Sequence, residues 1–244
     1  MWLLDGSVRR SLFAVCLITF GLSGPASAAF IYSVDDGAGE SSLALGGARN
    51  IWLNAFQAVA GGEIISSIDI AFGATDQDSE VNGDPITVYL WSDPNNDGDP
   101  RDAILETSIA GVTANIHTNI FNNFAVPSSP TFGVGDWFFV GFGWLPSGSG
   151  AGFLVNRDTS PSAGASWVFG GALTDPNNLG AGVDGIDNFS PQDLDNIALG
   201  GNFLIRANGR AADVSQVPLP ATVLLFGLGL AGLGWSRSTK TTKS

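Results

Sequence analysis

The sequence predicts an all-β protein, an antiparallel β-sandwich or jelly roll, between two terminal segments of different character. Apolar and polar residues alternate at 68–72 and 86–91, and this period of two is typical of strands with one face in a core. Turns rich in Gly, Pro, Asn and Asp separate such stretches. No long helical period occurs between residues 29 and 209, which favours antiparallel sheets.

The pattern places nine strands in the central part of the chain. They are predicted at 51–56, 68–72, 86–91, 104–112, 120–126, 138–144, 153–156, 166–169 and 203–207. Residues 174–201 have the weakest strand pattern, and we predict a long loop there. No fixed-period repeat is present, which excludes a solenoid or a propeller.

The first 28 residues have the organisation of a signal peptide. Arg9 and Arg10 precede an apolar stretch at 11–22, and Ala26-Ser27-Ala28 follows it. This order predicts cleavage after Ala28 on the general secretory route, with an uncleaved anchor as the alternative. Cys16, the only cysteine of the chain, lies inside this peptide. The exported domain therefore has no disulfide, and its stability depends on its core, with or without bound metal.

Residues 29–209 are assigned to the β domain and residues 210–216 to a linker. Of the 23 acidic residues of the chain, 22 lie between positions 29 and 216, with 5 of its 10 basic residues. So acidic a segment excludes nucleic acid and anionic lipid surfaces as partners. It is compatible with divalent cations. Its tryptophans and its many Phe, Ile and Val residues are sufficient to bury a core.

The C-terminal segment, residues 217–244, contains three features in a fixed order. An apolar run at 223–235 follows a proline motif and precedes the basic residues Arg237, Lys240 and Lys243. The run and the motif together span about 28 Å as a helix, close to the thickness of a bilayer core. We therefore predict a single transmembrane helix whose basic end stays in the cytoplasm. The motif residues are Val217, Pro218, Leu219, Pro220 and Ala221.

This order of motif, apolar run and basic end resembles the PEP-CTERM sorting signal of Gram-negative bacteria that make extracellular polysaccharide. Leu219 occupies the position where that motif usually has Glu. The resemblance implies that an exosortase-like membrane enzyme recognises the segment and cleaves near it. An inner-membrane intermediate would then give a product at the cell surface or in the extracellular matrix. A plain membrane anchor without processing is the alternative.

One turn has the composition of a calcium loop. Its pattern is D-x-N-x-D-G-D, and Gly98 permits the sharp bend that such loops contain. The register differs from an EF-hand, since Ile104 stands where the final Glu would be. The alternative is a solvated Asn/Asp turn. Weaker acidic loops occur at 76–84 and 184–195. The candidate calcium ligands are Asp93, Asn95, Asp97, Asp99 and Asp102.

The sequence lacks the catalytic residues that most hydrolases require. His117 is the only histidine, and we predict a surface or turn position for it. No G-x-S-x-G motif is present, which disfavours a serine triad, and a zinc site would need more nitrogen or sulfur ligands. Hydrolysis of glycans by two carboxylates stays open as an alternative. We expect a protein that is not an enzyme.

Two tryptophans are candidates for a sugar-binding platform. Trp91 and Trp137 alternate opposite to the clearest core faces of their strands, while a core position is the alternative. Together these features predict an exported cell-surface or exopolysaccharide-matrix protein with a structural or binding role, for which polysaccharide is a candidate partner. The alternatives are a secreted carboxylate-dependent glycan hydrolase and a calcium-stabilised adhesin domain on a simple membrane anchor.

Overall fold

The computed structural model describes residues 29–43, 50–73, 82–144, 155–171, 175–180 and 188–212. The predicted signal peptide and the C-terminal segment 217–244 lie outside these ranges. Within them, no helix is long and apolar enough to cross a membrane.

Thirteen strands and one short 3₁₀ helix, Pro100–Asp102, form the described part of the chain. The strands are β1 (Phe30–Tyr32), β2 (Ser41–Leu43), β3 (Asn50–Gln57), β4 (Ile64–Ile70), β5 (Pro85–Ser92), β6 (Ile104–Val112), β7 (Asn122–Ala125), β8 (Trp137–Trp144), β9 (Val155–Asp158), β10 (Ser166–Gly171), β11 (Asn188–Asp193), β12 (Asn202–Phe203) and β13 (Ile205–Arg210).

These strands form three sheets in which all pairings are antiparallel. A six-stranded sheet has the order β11-β10-β3-β8-β5-β6, and a four-stranded sheet has the order β1-β13-β4-β7. A small third sheet has the order β12-β9-β2, and an isolated bridge between Val155 of β9 and Phe72 links it to the segment after β4. The all-β, antiparallel class predicted from the sequence is confirmed.

The main core lies between the four-stranded and the six-stranded sheet. Alternate residues of β4 and β13, such as Ile68, Ile70 and Ile205, are completely buried there. They face Trp52 and Phe142 of the six-stranded sheet, whose rings lie 5.1 Å apart. Burial of each such side chain contributes roughly 1.5–3 kcal/mol, so this layer supplies most of the stability of the domain.

A second, smaller core covers the opposite face of the six-stranded sheet. Phe139 and Trp91 are fully buried in it, and Leu179, from the segment 175–180, closes it from outside. Both faces of the central strands β3 and β8 are therefore buried. Strands buried on both sides have continuous apolar runs rather than strict alternation, as in Trp-Phe-Phe-Val of β8.

A buried polar network connects β3 of the six-stranded sheet with the last strands of the chain. Asn54 Nδ2 donates hydrogen bonds to the carbonyl oxygens of Phe203 (2.9 Å) and Ile205 (2.8 Å). Ser166 Oγ donates to Asn54 Oδ1 at 2.7 Å and accepts from the amide of Phe203 at 2.9 Å. These bonds satisfy backbone groups where the chain passes from β12 to β13.

The prediction of a loop at 174–201 is wrong in one part. Residues 188–193 form β11, which pairs with β10 at the edge of the six-stranded sheet. Its sequence, Asn-Phe-Ser-Pro-Gln-Asp, contains a proline and no apolar alternation. Because proline is tolerated on edge strands, pairing with a neighbour decides the structure there, and local propensity does not reveal it.

Candidate functional site

The residues of the sorting motif lie outside the described ranges. Residues 217–221 and the basic residues Arg237, Lys240 and Lys243 belong to the segment beyond residue 212. The prediction of a transmembrane helix falls in the same segment. The last described strand, β13, ends at Arg210, one residue into the part of the chain that was assigned to the linker.

The loop that carries the candidate calcium ligands connects β5 to the 3₁₀ helix. Asp93 is 8% exposed and organises the turn. Its Oδ1 accepts from the amides of Asn95 (3.2 Å) and Asn96 (2.9 Å), and its Oδ2 accepts from the amide of Gly98 (2.7 Å). The aspartate at the start of the pattern thus folds the loop back on itself, as expected for an Asx turn.

Three of the five predicted ligands converge. Carboxylate oxygens of Asp93, Asp97 and Asp102 all lie within 4.8 Å of one another, an arrangement that could hold a metal ion. Asn95 Nδ2 donates to Asp97 at 3.1 Å. Asp99 points elsewhere, because it caps the 3₁₀ helix through the amide of Arg101 and forms an ion pair with that guanidinium.

The electrostatics of this acidic group disfavour its fully ionised form. Loss of hydration, together with the nearby carboxylates of Asp93, Asp97 and Asp99, raises the pKa of Asp102 above its ordinary value. Like charges at short range destabilise the ionised carboxyl. A bound cation would remove this repulsion.

Trp137 contacts the acidic loop through backbone hydrogen bonds and through its ring. Its amide donates to Asn96 Oδ1 at 2.7 Å, and its carbonyl accepts from the amide of Asp93 at 3.3 Å. Gly98 has a φ of +81° and lies so close to the indole that a Cβ there would be 3.2 Å from the ring. The half-buried Trp137 therefore contacts the loop with its ring, and its role in a sugar platform stays a prediction.

The platform role predicted for Trp91 is contradicted by its burial. The side chain has no exposed surface, and its Nε1 donates to the carbonyl of Pro176 at 2.8 Å. Its ring also packs against Tyr89 at 5.0 Å. The alternation correctly places Trp91 opposite to the main core, but the second core covers that face as well.

A second acidic group was not predicted. Carboxylate oxygens of Asp36, Glu40 and Asp158 lie within 4.8 Å of one another and could also hold a metal ion. The side chain of Asp158 accepts from the amides of Asp36 (3.0 Å) and Ser160 (2.6 Å). These residues come together only because β9 pairs with β2, and spacing along the sequence gives no indication of that pairing.

The two acidic groups differ in their electrostatics. Burial alone would raise the pKa of Asp158. Hydrogen bonds from the hydroxyl and amide of Ser160 and from the amide of Asp36 outweigh burial, so the pKa of Asp158 lies below its ordinary value. Hydrogen bonds to the charged form favour that form. Asp158 is therefore an ionised structural carboxylate.

A polar cleft of about 350 Å³ lies beside the second acidic group. His117 is part of its lining. It is exposed in a turn with a φ of 63°, which confirms the predicted turn position. The lining residues are Gly39, Glu40, Ser41, Ser42, Gly73, His117, Thr118, Asn119 and Asn156.

The weaker acidic loops predicted from the sequence lie largely outside the described ranges, which omit residues 74–81 and 181–187. Of their candidate residues, Asn82, Asp84, Asp193 and Asp195 are described, and Asp193 Oδ1 accepts from the amide of Asp195 at 3.0 Å. This bond closes a turn after β11.

Comparison with solved structures shows similarity of fold. One is the crystal structure of the cysteine protease and lectin-like domains of Cwp84, a surface layer associated protein of Clostridium difficile. The match is 13% identical, covers 78% of this chain and 37% of that chain, and has a TM-score of 0.50. The clostridial cysteine protease Cwp84 after propeptide cleavage matches at 14% identity and a TM-score of 0.52, over 78% of this chain and 42% of that chain.

Comparison with sequences gives a match at the C-terminus. No curated protein sequence matches the chain. The family model of the PEP-CTERM protein-sorting motif matches residues 216–238, which include the proline motif and the apolar run. The chain thus carries a PEP-CTERM protein-sorting motif, which points to an exported, surface-directed protein.

Proposed function

We propose that an exosortase-like enzyme processes this protein at its C-terminal motif and that the β domain is displayed at the cell surface or in the exopolysaccharide matrix. There it has a structural or binding role. The observation that carries this proposal is the sorting motif at 216–238, which begins six residues after β13 ends at Arg210. The enzyme would reach the motif in the short segment between the domain and the membrane.

A binding role is favoured over protease activity by the cysteine content. The similar clostridial structure contains cysteine protease and lectin-like domains. In this chain Cys16 is the only cysteine, and it lies in the predicted signal peptide. A cysteine protease requires a thiolate nucleophile, which residues 29–244 do not supply. The low identity limits the similarity to the fold.

A carboxylate-dependent hydrolase is the less favoured alternative. Such an enzyme needs one protonated and one ionised carboxyl on opposite sides of the scissile bond. Asp158, next to the polar cleft, has a lowered pKa and would remain ionised. Asp102 has a raised pKa but belongs to the other acidic group. We therefore favour a protein that is not an enzyme.

We further infer that calcium binds the loop through Asp93, Asp97 and Asp102 and stabilises the domain. Hard oxygen ligands on a tight turn suit this ion. Calcium that binds only the folded state at one hundred times its Kd would add about 2.7 kcal/mol of stability. The test is thermal unfolding with calcium and with a chelator. Asp97→Ala should abolish the calcium-dependent shift, and an unchanged shift in this variant would contradict the site.

Mass spectrometry of the surface-exposed protein tests the sorting proposal. We expect a mature form that begins after Ala28 and lacks the apolar run 223–235. Replacement of both Pro218 and Pro220 by Ala should leave the tail in place, because the extended entry to the helix is lost. A matched control replaces Pro127 and Pro130 by Ala and should leave processing unchanged. A surface form that is intact through Ser244 would overturn the proposal.

A further inference from the structure

The polar cleft beside the second acidic group is built from four separate parts of the chain. Residues 39–42 lie at and just before the start of β2, Gly73 follows β4, residues 117–119 form the turn before β7, and Asn156 belongs to β9. Apart from two glycines, every lining residue has a polar side chain. At about 350 Å³ the cleft lies at the small end of ligand pockets, which span roughly 300–1,000 Å³.

Hydrogen bonds hold the cleft in one shape. Asn119 Oδ1 accepts from the amide of Gly39 at 3.1 Å and from Asn156 Nδ2 at 2.9 Å, which ties the turn to both strands. Thr118 Oγ1 donates to the carbonyl of Asn115 at 2.5 Å. A site whose side chains are already positioned loses less conformational entropy when a ligand binds.

Asn156 offers an acceptor in this cleft. The residue is only 6% exposed, and its Nδ2 donates to Asn119 and to the carbonyl of Thr118. Within the described ranges, no hydrogen bond reaches its Oδ1. An accessible amide oxygen without a protein donor can accept a hydrogen bond from a ligand that supplies one.

The charges around the cleft select the class of ligand. Glu40 is part of the lining, and Asp36 and Asp158 lie next to it. One cation, Arg157, lies outside the lining and donates from Nε to Ser41 Oγ at 2.9 Å, so the acids outnumber it three to one. The nine lining residues include no Lys or Arg. Such a site repels phosphates, sulfates and uronic acids, because an anion requires cationic or N–H-rich surroundings. Hydroxyl groups, which both donate and accept, match the mixture of amide, hydroxyl, imidazole and carboxylate groups.

We propose that this cleft is a binding site for a neutral saccharide, holding one end unit of a longer chain through direct hydrogen bonds to its hydroxyl groups. The proposal extends the binding role proposed above and names its ligand. Glu40 and Asn156 Oδ1 accept hydrogen bonds from sugar hydroxyls, and the imidazole of His117 forms a hydrogen bond with a further hydroxyl.

Calorimetric titration of the full-length chain in a sugar-free zwitterionic detergent tests this site. The probes are neutral gluco-, galacto- and manno-oligosaccharides, with oligogalacturonate as the acidic comparison. At least one neutral probe should bind, and oligogalacturonate should bind at least tenfold more weakly. His117→Gly should weaken the neutral interaction about three- to tenfold, as expected for one lost hydrogen bond.

The His117→Gly variant should retain the fold, because glycine adopts the positive φ of this position without strain. The matched control is Ala198→Gly, at an exposed residue with a φ of 58° outside the cleft, and its binding should equal that of the wild type. Failure of all neutral probes, or equal effects of the two variants, would overturn the proposal. Binding that disappears in EDTA would also overturn it, because a cation would then make the contact.

The outcome is independent of the sorting proposal. Processing of the tail and surface display are measured by mass spectrometry without any sugar. A processed, displayed protein that binds no neutral oligosaccharide would contradict the cleft alone. An unprocessed protein that binds one would contradict the sorting proposal alone.

Discussion

The polar side chain of Asn54 has no exposed surface. It lies between β3 of the six-stranded sheet and the strands β12 and β13. Its amide satisfies two carbonyl groups and one hydroxyl group that water does not reach. Buried polar groups that lose their partner cost about 1–3 kcal/mol each. At this position one residue therefore determines whether β12 and β13 can dock on β3.

Replacement of Asn54 tests this role. Asn54→Ala should lower the free energy of unfolding by about 2–5 kcal/mol, because it leaves backbone carbonyls unpaired and opens a cavity. Urea denaturation measures the loss. Asn196→Ala, at an exposed residue of the turn after β11 whose described hydrogen bond is made by its backbone amide, is the control and should change stability by about 0.5 kcal/mol or less. Equal effects of the two changes would contradict the role of the network.

Asp158 should contribute to the pH dependence of stability. Its pKa in the folded state lies below the ordinary value of 3.8. Its contribution is therefore complete above that pH and is lost as the pH falls through the folded-state pKa. Asp158→Asn should cost about 1–3 kcal/mol at neutral pH, and the difference from wild type should shrink below pH 3.8. Unfolding measured from pH 3 to 7 checks this, and a pH-independent difference would contradict it.

Asp102 should behave in the opposite way. Because its pKa is raised in the folded state, the ionised carboxyl opposes folding at neutral pH. Asp102→Asn should therefore raise the melting temperature of the metal-free protein by about 1–4 °C, while reducing the shift that calcium produces. Thermal unfolding with EDTA and with calcium distinguishes the two effects. A variant less stable than wild type in EDTA would contradict the electrostatic argument.

At the scale of elements, the segment 175–180 is the cover of the second core. Leu179 is buried against the outer face of the six-stranded sheet, and the carbonyl of Pro176 holds the indole of Trp91. Gly180 lies against the backbone of Arg101, where a Cβ would approach the carbonyl oxygen to 2.1 Å. The segment 175–180 has no strand beyond an isolated bridge. These three contacts nevertheless make it part of the packed structure.

Removal of one side chain should loosen this cover. Leu179→Ala should destabilise the domain by about 2–3 kcal/mol, because it leaves a cavity over Trp91. Leu199→Ala, at a leucine that is 41% exposed, is the matched control and should cost less than about 1 kcal/mol. Hydrogen exchange at residues 175–180 should increase in the first variant alone. Unchanged exchange there would show that Leu179 does not hold the segment.

The sequence predicts elements well where local pattern and burial agree. Strands such as β5 and β8 appear at the predicted positions, because their apolar residues face a core. The three-residue strands β1 and β2 are too short for a pattern, and β11 depends on its partner β10. The turn chemistry of residues 93–99 predicts a folded acidic loop, but the orientation of Asp99 towards Arg101 and the cover over Trp91 depend on tertiary contacts.

At the scale of the whole molecule, long-range pairing dominates. β1 pairs with β13, so that Phe30 lies opposite Gly209. β13 in turn lies between β1 and β4. Such non-local topology is typical of slow folding. It is also the reason that the second acidic group and the cleft were not found from the sequence, since their residues belong to strands distant along the chain.

Truncation tests the central place of the last strand. A chain that ends at residue 212 should retain a cooperative thermal transition, because all described strands are present. A chain that ends at residue 204 should not fold, since β1 and β4 lose their shared neighbour and Ile205 and Ala207 leave the core. Circular dichroism measures both. Cooperative unfolding of the shorter chain would contradict the dependence on β13.

The position of β13 has a consequence for the timing of folding. When a polypeptide crosses a membrane starting from its amino end, residues 205–210 emerge after all the other strands. Until they arrive, the position between β1 and β4 is unoccupied, and the main core lacks Ile205 and Ala207. The chain thus stays incompletely folded, and able to pass through the membrane, for nearly the whole of its export. Folding is completed only when the residues immediately before the sorting motif have emerged.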